Sequence, residues 1–178
     1  MKKLPLWICI LICLLLVSFG LVYGTVSGFS GDKARVTALL EQENGLKDMI
    51  SYYGADGLNL AAVAARHLPE QSLSELKEAA GAVNANEGDL PQQKRNAARM
   101  AAAADAVTAE LEQTDSWQTS ERDQRYTALI RSDMQQLVSG SMIDTYNQAA
   151  DRFNASLQTV PAGWLARLAG ITACPVYR

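Results

Sequence analysis

YNQAADRFNASLQTVPAGWLARLAGI, residues Tyr146 to Ile171, is the most patterned stretch of the chain. Tyr146, Ala150, Phe153, Leu157 and Val160 recur at alternating spacings of four and three, the seam of a helix that buries one face among its neighbours. Aromatic-Asn pairs stand seven residues apart, at Tyr146-Asn147 and Phe153-Asn154. Two readings follow. Either the aromatics are core and the asparagines satisfy backbone groups or neighbouring helices, or the stretch forms a polar groove beside an aromatic shelf. Pro161 must interrupt or restart the helix, after which Trp164, Leu165 and Leu168 make a short amphipathic piece, with Arg167 beside it, that closes on Gly170. That piece either folds back over the helices as a lid or lies in a lipid headgroup layer, where Trp and Arg are at home.

Upstream the apolar residues keep helical rather than alternating spacing. Val36, Leu39, Leu40, Met49, Ile50, Tyr53, Leu60, Val63 and Leu68 trace one stripe, which predicts a long first helix with weak points at Gly45, Gly54 and Gly57, an interruption near Gly54 to Gly57, and Pro69 as its end or the start of its turn. Ser72-Leu73-Ser74-Glu75 has the form of a capping box opening a short helix. NANEGDLP (Asn84 to Pro91) reads as a loop, and Gln92 to Gln113 as an alanine-dominated buried helix, alanine being the strongest helix former. Ser120 and Asp123 are spaced as another cap, before a stripe of Tyr126, Leu129, Ile130, Met134, Leu137 and Val138 that Gly140 ends or interrupts. No run has the turn-bounded alternation of a strand. The expected fold is all-α, an antiparallel helical bundle of three to four long helices behind one N-terminal transmembrane helix.

That N-terminal helix is read from the absence of charge between Leu4 and Gly31 and the apolar run Leu6 to Val26, long enough to cross about 30 Å of hydrocarbon. Lys2 and Lys3 supply a basic flank, so the segment is a membrane anchor or a signal peptide; its length exceeds the usual apolar region of the latter and favours a retained anchor. The division expected is 1–28 anchor and 29–178 helical domain. The same lysines favour a helical domain outside the cytoplasm in a single-pass protein, a bias that Lys33 and Arg35 on the far side weaken. Without them the chain keeps 14 basic against 19 acidic residues and no basic cluster longer than Lys94-Arg95, so nucleic acid is not the expected partner.

Chemical signatures are sparse. Cys9 and Cys13 lie in the apolar run, which leaves Cys174 the one thiol beyond it and excludes a disulfide there. His67 is the single histidine. With no second histidine, no cysteine pair and no His-Glu-x-x-His, it reads as a surface or helix-end residue, and no metal, cofactor or catalytic residue is assigned. A serine or cysteine nucleophile would want a base and a strained turn, and no such motif is present. The acidic residues from Glu121 to Arg131 alternate with basic ones, as on a solvated helix face.

Tyr146-Asn147, Phe153-Asn154, Val160-Pro161, Ala166, Gly170 and Ile171 fall at the spacings of the closing motif of the LemA family, which this stretch resembles, with Val160 and Ile171 replacing the family's usual phenylalanines. Asn59-Leu60 stands where that family carries a longer polar run, without its arginine pair and proline. The resemblance implies a bacterial helical bundle on a membrane anchor with no established enzymatic activity. Tyr146, Asn147, Phe153, Asn154, Pro161, Trp164 and Gly170 are the candidate interaction or structural residues. The function expected is a non-enzymatic scaffold that binds another envelope protein or organises a membrane surface, with self-association compatible. A sensor accessory module and an envelope hydrolase with dispersed acidic residues are the alternatives.

Overall fold

The computed structural model describes residues 5–178; Lys2 and Lys3, on which the orientation argument leans, lie outside the described residues. Helix is the regular structure throughout and no strand occurs among the described residues, so the chain is all-α. In order the helices are α1 (Leu6–Glu41), α2 (Leu46–Ala64), α3 (Glu70–Ala85), α4 (Leu90–Leu111), α5 (Asp115–Gln118), α6 (Glu121–Ser139), α7 (Ser141–Ser156) and α8 (Ala162–Leu168). Two compact units emerge. One takes α1 as far as Thr37 together with Ala149–Cys174; the other takes Ala38–Gln148 and Pro175–Arg178.

α1 continues as one helix beyond the expected anchor boundary at residue 28, as far as Glu41, and its part up to Thr37 belongs to the first unit. By length and composition it is the one helix, among the described residues, able to cross a membrane. Its apolar side chains from Leu6 to Tyr23 stand exposed, Leu6, Phe19 and Leu21 among the most open. Further along, the Phe29 ring meets Phe153 edge to face at 6.4 Å, and Lys33 Nζ donates to Thr172 Oγ1 at 2.7 Å. Phe153, Leu157, Ala166, Ile171 and Cys174 are buried around these contacts. The seam stops there. α7 ends at Ser156, so Val160 falls in the following turn and is 82% exposed rather than packed. α8 turns Gly163 and Ala166 inward and leaves Trp164 and Leu168 outside, so its apolar side is the outer one. Only glycine fits at 163, where a Cβ would stand 2.5 Å from the Leu157 carbonyl oxygen.

The second unit is built on α2, which packs against α3, α4 and α6. Of the three weak points Gly45, Gly54 and Gly57, the helix breaks at the first, beside Asn44, and not at Gly54 to Gly57. Asn44 takes φ +61°, and its amide donates to Asp48 Oδ2 at 2.9 Å, a local geometry that starts α2 afresh. Gly54 and Gly57 sit unbroken inside α2 and serve close approach. A Cβ at Gly54 would lie 2.3 Å from the Asn84 amide nitrogen in α3; one at Gly57 would lie 2.8 Å from Ala80 Cβ and 2.6 Å from Met100 Sδ. Leu46, Leu60, Leu73, Leu76, Met100 and Leu111 are fully buried, each worth about 1.5 to 3 kcal/mol of burial.

The capping box does not form. Pro69, extended at ψ 154°, starts α3 three residues early, so Ser72 already lies within the helix. Its hydroxyl donates to Glu110 in α4 at 2.7 Å, and Glu75 holds Arg99. The loop before α4 is as expected: Asn86 ends α3 in the left-handed region and Asp89 caps α4 by accepting from the Gln92 amide at 2.8 Å. In α6 the buried residues are Asp123, Thr127 and Met134; of the predicted stripe Met134 is buried and Ile130 and Leu137 are half-buried, while Tyr126, Leu129 and Val138 face outward. Gly140 ends that helix in extended conformation.

Candidate functional site

The two asparagines of the opening stretch do the same work at two places along α7. In the first unit Asn154 Nδ2 donates to the Cys174 carbonyl at 2.8 Å, while the Cys174 amide donates to Asn154 Oδ1 at 2.8 Å. In the second, Asn147 Nδ2 donates to the Tyr177 carbonyl at 3.1 Å and the Tyr177 amide donates to Asn147 Oδ1 at 2.8 Å. A carboxamide carries a donor and an acceptor side by side, as a peptide group does, so each asparagine pairs with both backbone groups of one residue. Residues 171–178 form neither helix nor strand, and these backbone groups would otherwise need other partners.

Asn154 meets Cys174 within the first unit, and Asn147 meets Tyr177 within the second. Tyr146 adds a bond from its hydroxyl to the Pro175 carbonyl at 2.7 Å, so this buried ring is anchored by a polar tip. The contacts are those of the first reading of the Tyr-Asn repeat: the aromatics are core, and the asparagines satisfy backbone groups.

The other candidate residues take separate parts. Pro161 precedes α8, and Trp164 is about half exposed. Gly170, at φ +83° with its amide donating to the Arg167 carbonyl at 3.0 Å, turns the chain out of α8 into the tail. In the second unit the Tyr177 ring is buried with Lys94 Nζ 5.3 Å from its centroid, and burial pushes its hydroxyl up to about 12. Beside it lies an apolar cleft, open to solvent, lined by Ala97, Ala98 and Ala101 of α4 together with Leu46, Ile50 and Ile143.

A second cluster was not legible in the sequence. His67, just past α2, is a helix-end residue but not a surface one: its side chain is 6% exposed. Nδ1 lies 3.0 Å from Ser116 Oγ and Nε2 lies 3.0 Å from Asp123 Oδ2, while Arg66 Nη1 pairs with Asp123 Oδ1 at 2.5 Å. Asp123, expected on a solvated face, is buried because α6 turns it toward the end of α2. The His67 hydrogen bond holds its carboxyl below the usual carboxylate range, against the opposing effect of burial, with help from Ser120 and Arg66. A carboxylate depressed by folding stabilises the protein above its unfolded pKa, and that contribution disappears as pH falls through the folded value. Asp123→Asn is accordingly expected to flatten the loss of thermal stability below about pH 4. Melting curves from pH 7 down to pH 2.5 check it, and an unchanged acid limb would contradict the assignment.

These features define a class: an all-helical chain with one helix able to cross a membrane and a C-terminal tail clamped through its backbone. No protein-family model, curated protein or solved structure matches this chain. Among the described residues no group of acidic, histidine and cysteine side chains is placed to hold a metal ion.

Proposed function

We propose that the chain is a membrane-anchored, non-enzymatic scaffold of the bacterial inner membrane, with its helical part outside the cytoplasm and bound to another envelope protein. The observation that carries this reading is the run of exposed apolar side chains on α1 from Leu6 to Tyr23, a surface that water does not tolerate and hydrocarbon does. The LemA resemblance of Tyr146 to Ile171 supports it, and adds an antiparallel bundle of three to four long helices as the form of the domain. Exposed Val160, Trp164 and Leu168, clustered in sequence, offer apolar contact to a partner or a headgroup layer.

Cys174 is buried and a poor reporter of sidedness, so the test places a cysteine at exposed Gln71 in a Cys9→Ser, Cys13→Ser, Cys174→Ser background. Gln71→Cys is expected to react with a membrane-impermeant maleimide in intact spheroplasts, and the chain to stay with the membrane through alkaline carbonate. Reaction only after lysis would place the domain in the cytoplasm, and release by carbonate would remove the anchor.

The Ser116, His67 and Asp123 series favours a second reading, an envelope hydrolase with Ser116 as nucleophile and His67 as base. A fluorophosphonate probe decides between them. Labelling of Ser116 that His67→Ala abolishes would establish the hydrolase; the scaffold reading expects none.

A further inference from the structure

We infer that the apolar cleft of the second unit binds a fatty carboxylate, a single alkyl chain whose anionic head pairs with Lys94. The walls define the chain. Leu46, Ile50, Ala97, Ala101, Val138 and Ile143, drawn from α2, α4, α6 and α7, line a recess that stays open to solvent. All six belong to the second compact unit, so the recess lies within one body. A concave, mostly apolar surface with a few polar groups at fixed points is the usual form of a small-molecule site, and an alkyl chain laid along it removes apolar wall from water. Lys94 and Ala101, seven residues apart on α4, stand about 10.5 Å apart along the helix axis, which suits a chain of medium length.

Three polar groups define the head. Lys94 is the one charged residue of the lining and makes no ion pair among the described residues; its ammonium rests 5.3 Å from the centroid of the Tyr177 ring. No acidic residue lines the cleft, so the ligand that completes it is an anion. Tyr53 and Tyr177 line it too. They are 7% and 5% exposed, yet neither hydroxyl has a hydrogen-bond partner among the described residues, where a buried phenol usually finds one. Tyr146 gives the contrast, its buried hydroxyl bound to the Pro175 carbonyl. Burial raises the Tyr53 hydroxyl above the usual phenol range and, with help from Tyr53, pushes that of Tyr177 up to about 12, so both remain donors at neutral pH. One ammonium and two unused hydroxyls call for an acceptor of single negative charge. A carboxylate carries that charge, whereas a phosphomonoester, at about −1.5 to −2 near pH 7, would leave an excess among apolar walls.

The test uses the full chain in phosphatidylcholine nanodiscs and a dodecanoate that carries a diazirine at its methyl end, with cross-linked peptides read by mass spectrometry. Illumination is expected to label cleft residues of α4 and α6, and unlabelled dodecanoate to displace the probe. Lys94→Gln is expected to lower cleft labelling at least about tenfold, the scale of one charge-assisted hydrogen bond, while Lys94→Arg retains it. Ala98→Trp, at an exposed position of the lining, is expected to block labelling by filling the cleft. Circular dichroism confirms that each variant stays helical. Dodecyltrimethylammonium and dodecyl phosphate serve as competitors and are expected to displace the probe at least about tenfold less well than dodecanoate. Absence of cleft labelling in the unsubstituted chain overturns the inference, as does labelling that Lys94→Gln leaves unchanged. Equal displacement by the ammonium amphiphile overturns the charge pairing, and better displacement by the phosphate overturns the carboxylate head. Labelling along Leu6 to Tyr23 reports on the anchor separately, so failure of the cleft and failure of the anchor are distinguishable.

Discussion

Phe153→Ala is expected to lower the free energy of unfolding by about 3 to 5 kcal/mol, the cost of emptying a buried phenylalanine site. Phe153 is 4% exposed, and its ring meets Phe29 edge to face, so truncation loses both burial and an aromatic contact. The neighbouring turn at Gly163 leaves little freedom to collapse into the space, because its backbone already lies against the Leu157 carbonyl. Denaturant titration followed by circular dichroism reads the effect. An unchanged midpoint would remove Phe153 from the core and with it the packing half of the Tyr-Asn repeat.

The second large effect belongs to a glycine that sequence reasoning took for a bend. Gly54→Ala is expected to cost about 3 kcal/mol, at the upper end of the usual range for overpacking. The added methyl would lie 2.3 Å from the amide nitrogen of Asn84 and 2.6 Å from its Cα, and backbone has no rotamer with which to move aside. Ser51, one turn earlier, already binds the Asn84 carbonyl at 3.1 Å, so α2 and α3 are held at this separation by more than contact. Gly81 provides the control within the same pair of helices. Nothing stands within 4 Å of its Cβ position, and Gly81→Ala should stabilise by about 0.5 to 1 kcal/mol through helix propensity alone. Opposite signs for the two glycine-to-alanine changes separate packing from propensity. If both stabilise, α2 and α3 do not approach as described.

These two sites also mark where the sequence was readable and where it was not. The seam Tyr146, Ala150, Phe153 and Leu157 was legible because burial on one helix face leaves a period of 3.6, and all four are buried. Val160 continued the arithmetic but not the helix, since α7 ends at Ser156. Gly54 was misread because a glycine needed for close approach and one needed for a bend look alike until the neighbour is known. Ser72 and Glu75 have the right spacing for a cap, yet Pro69 had already begun the helix, and both side chains are used between α3 and α4.

The functional residues divide along the same line. The Asn147 and Asn154 repeat was visible, but its partners lie 30 and 20 residues away in a tail without periodicity. Spacing reveals that a helix has a polar line beside its core, not what lies along it. His67, Ser116 and Asp123 come from three separate elements, and only the fold brings them together.

The backbone clamp is tested most directly by the thiol at its first position. Cys174 is 6% exposed, burial pushes its pKa up, and both of its backbone groups are held by Asn154. In a Cys9→Ser, Cys13→Ser background it is the chain's one thiol, and its reaction with a small aromatic disulfide reports each opening of the tail. The clamp predicts a slow reaction that Asn154→Ala accelerates by about tenfold or more, the equivalent of two lost hydrogen bonds. Equal rates in the two proteins would mean that Asn154 does not hold the tail.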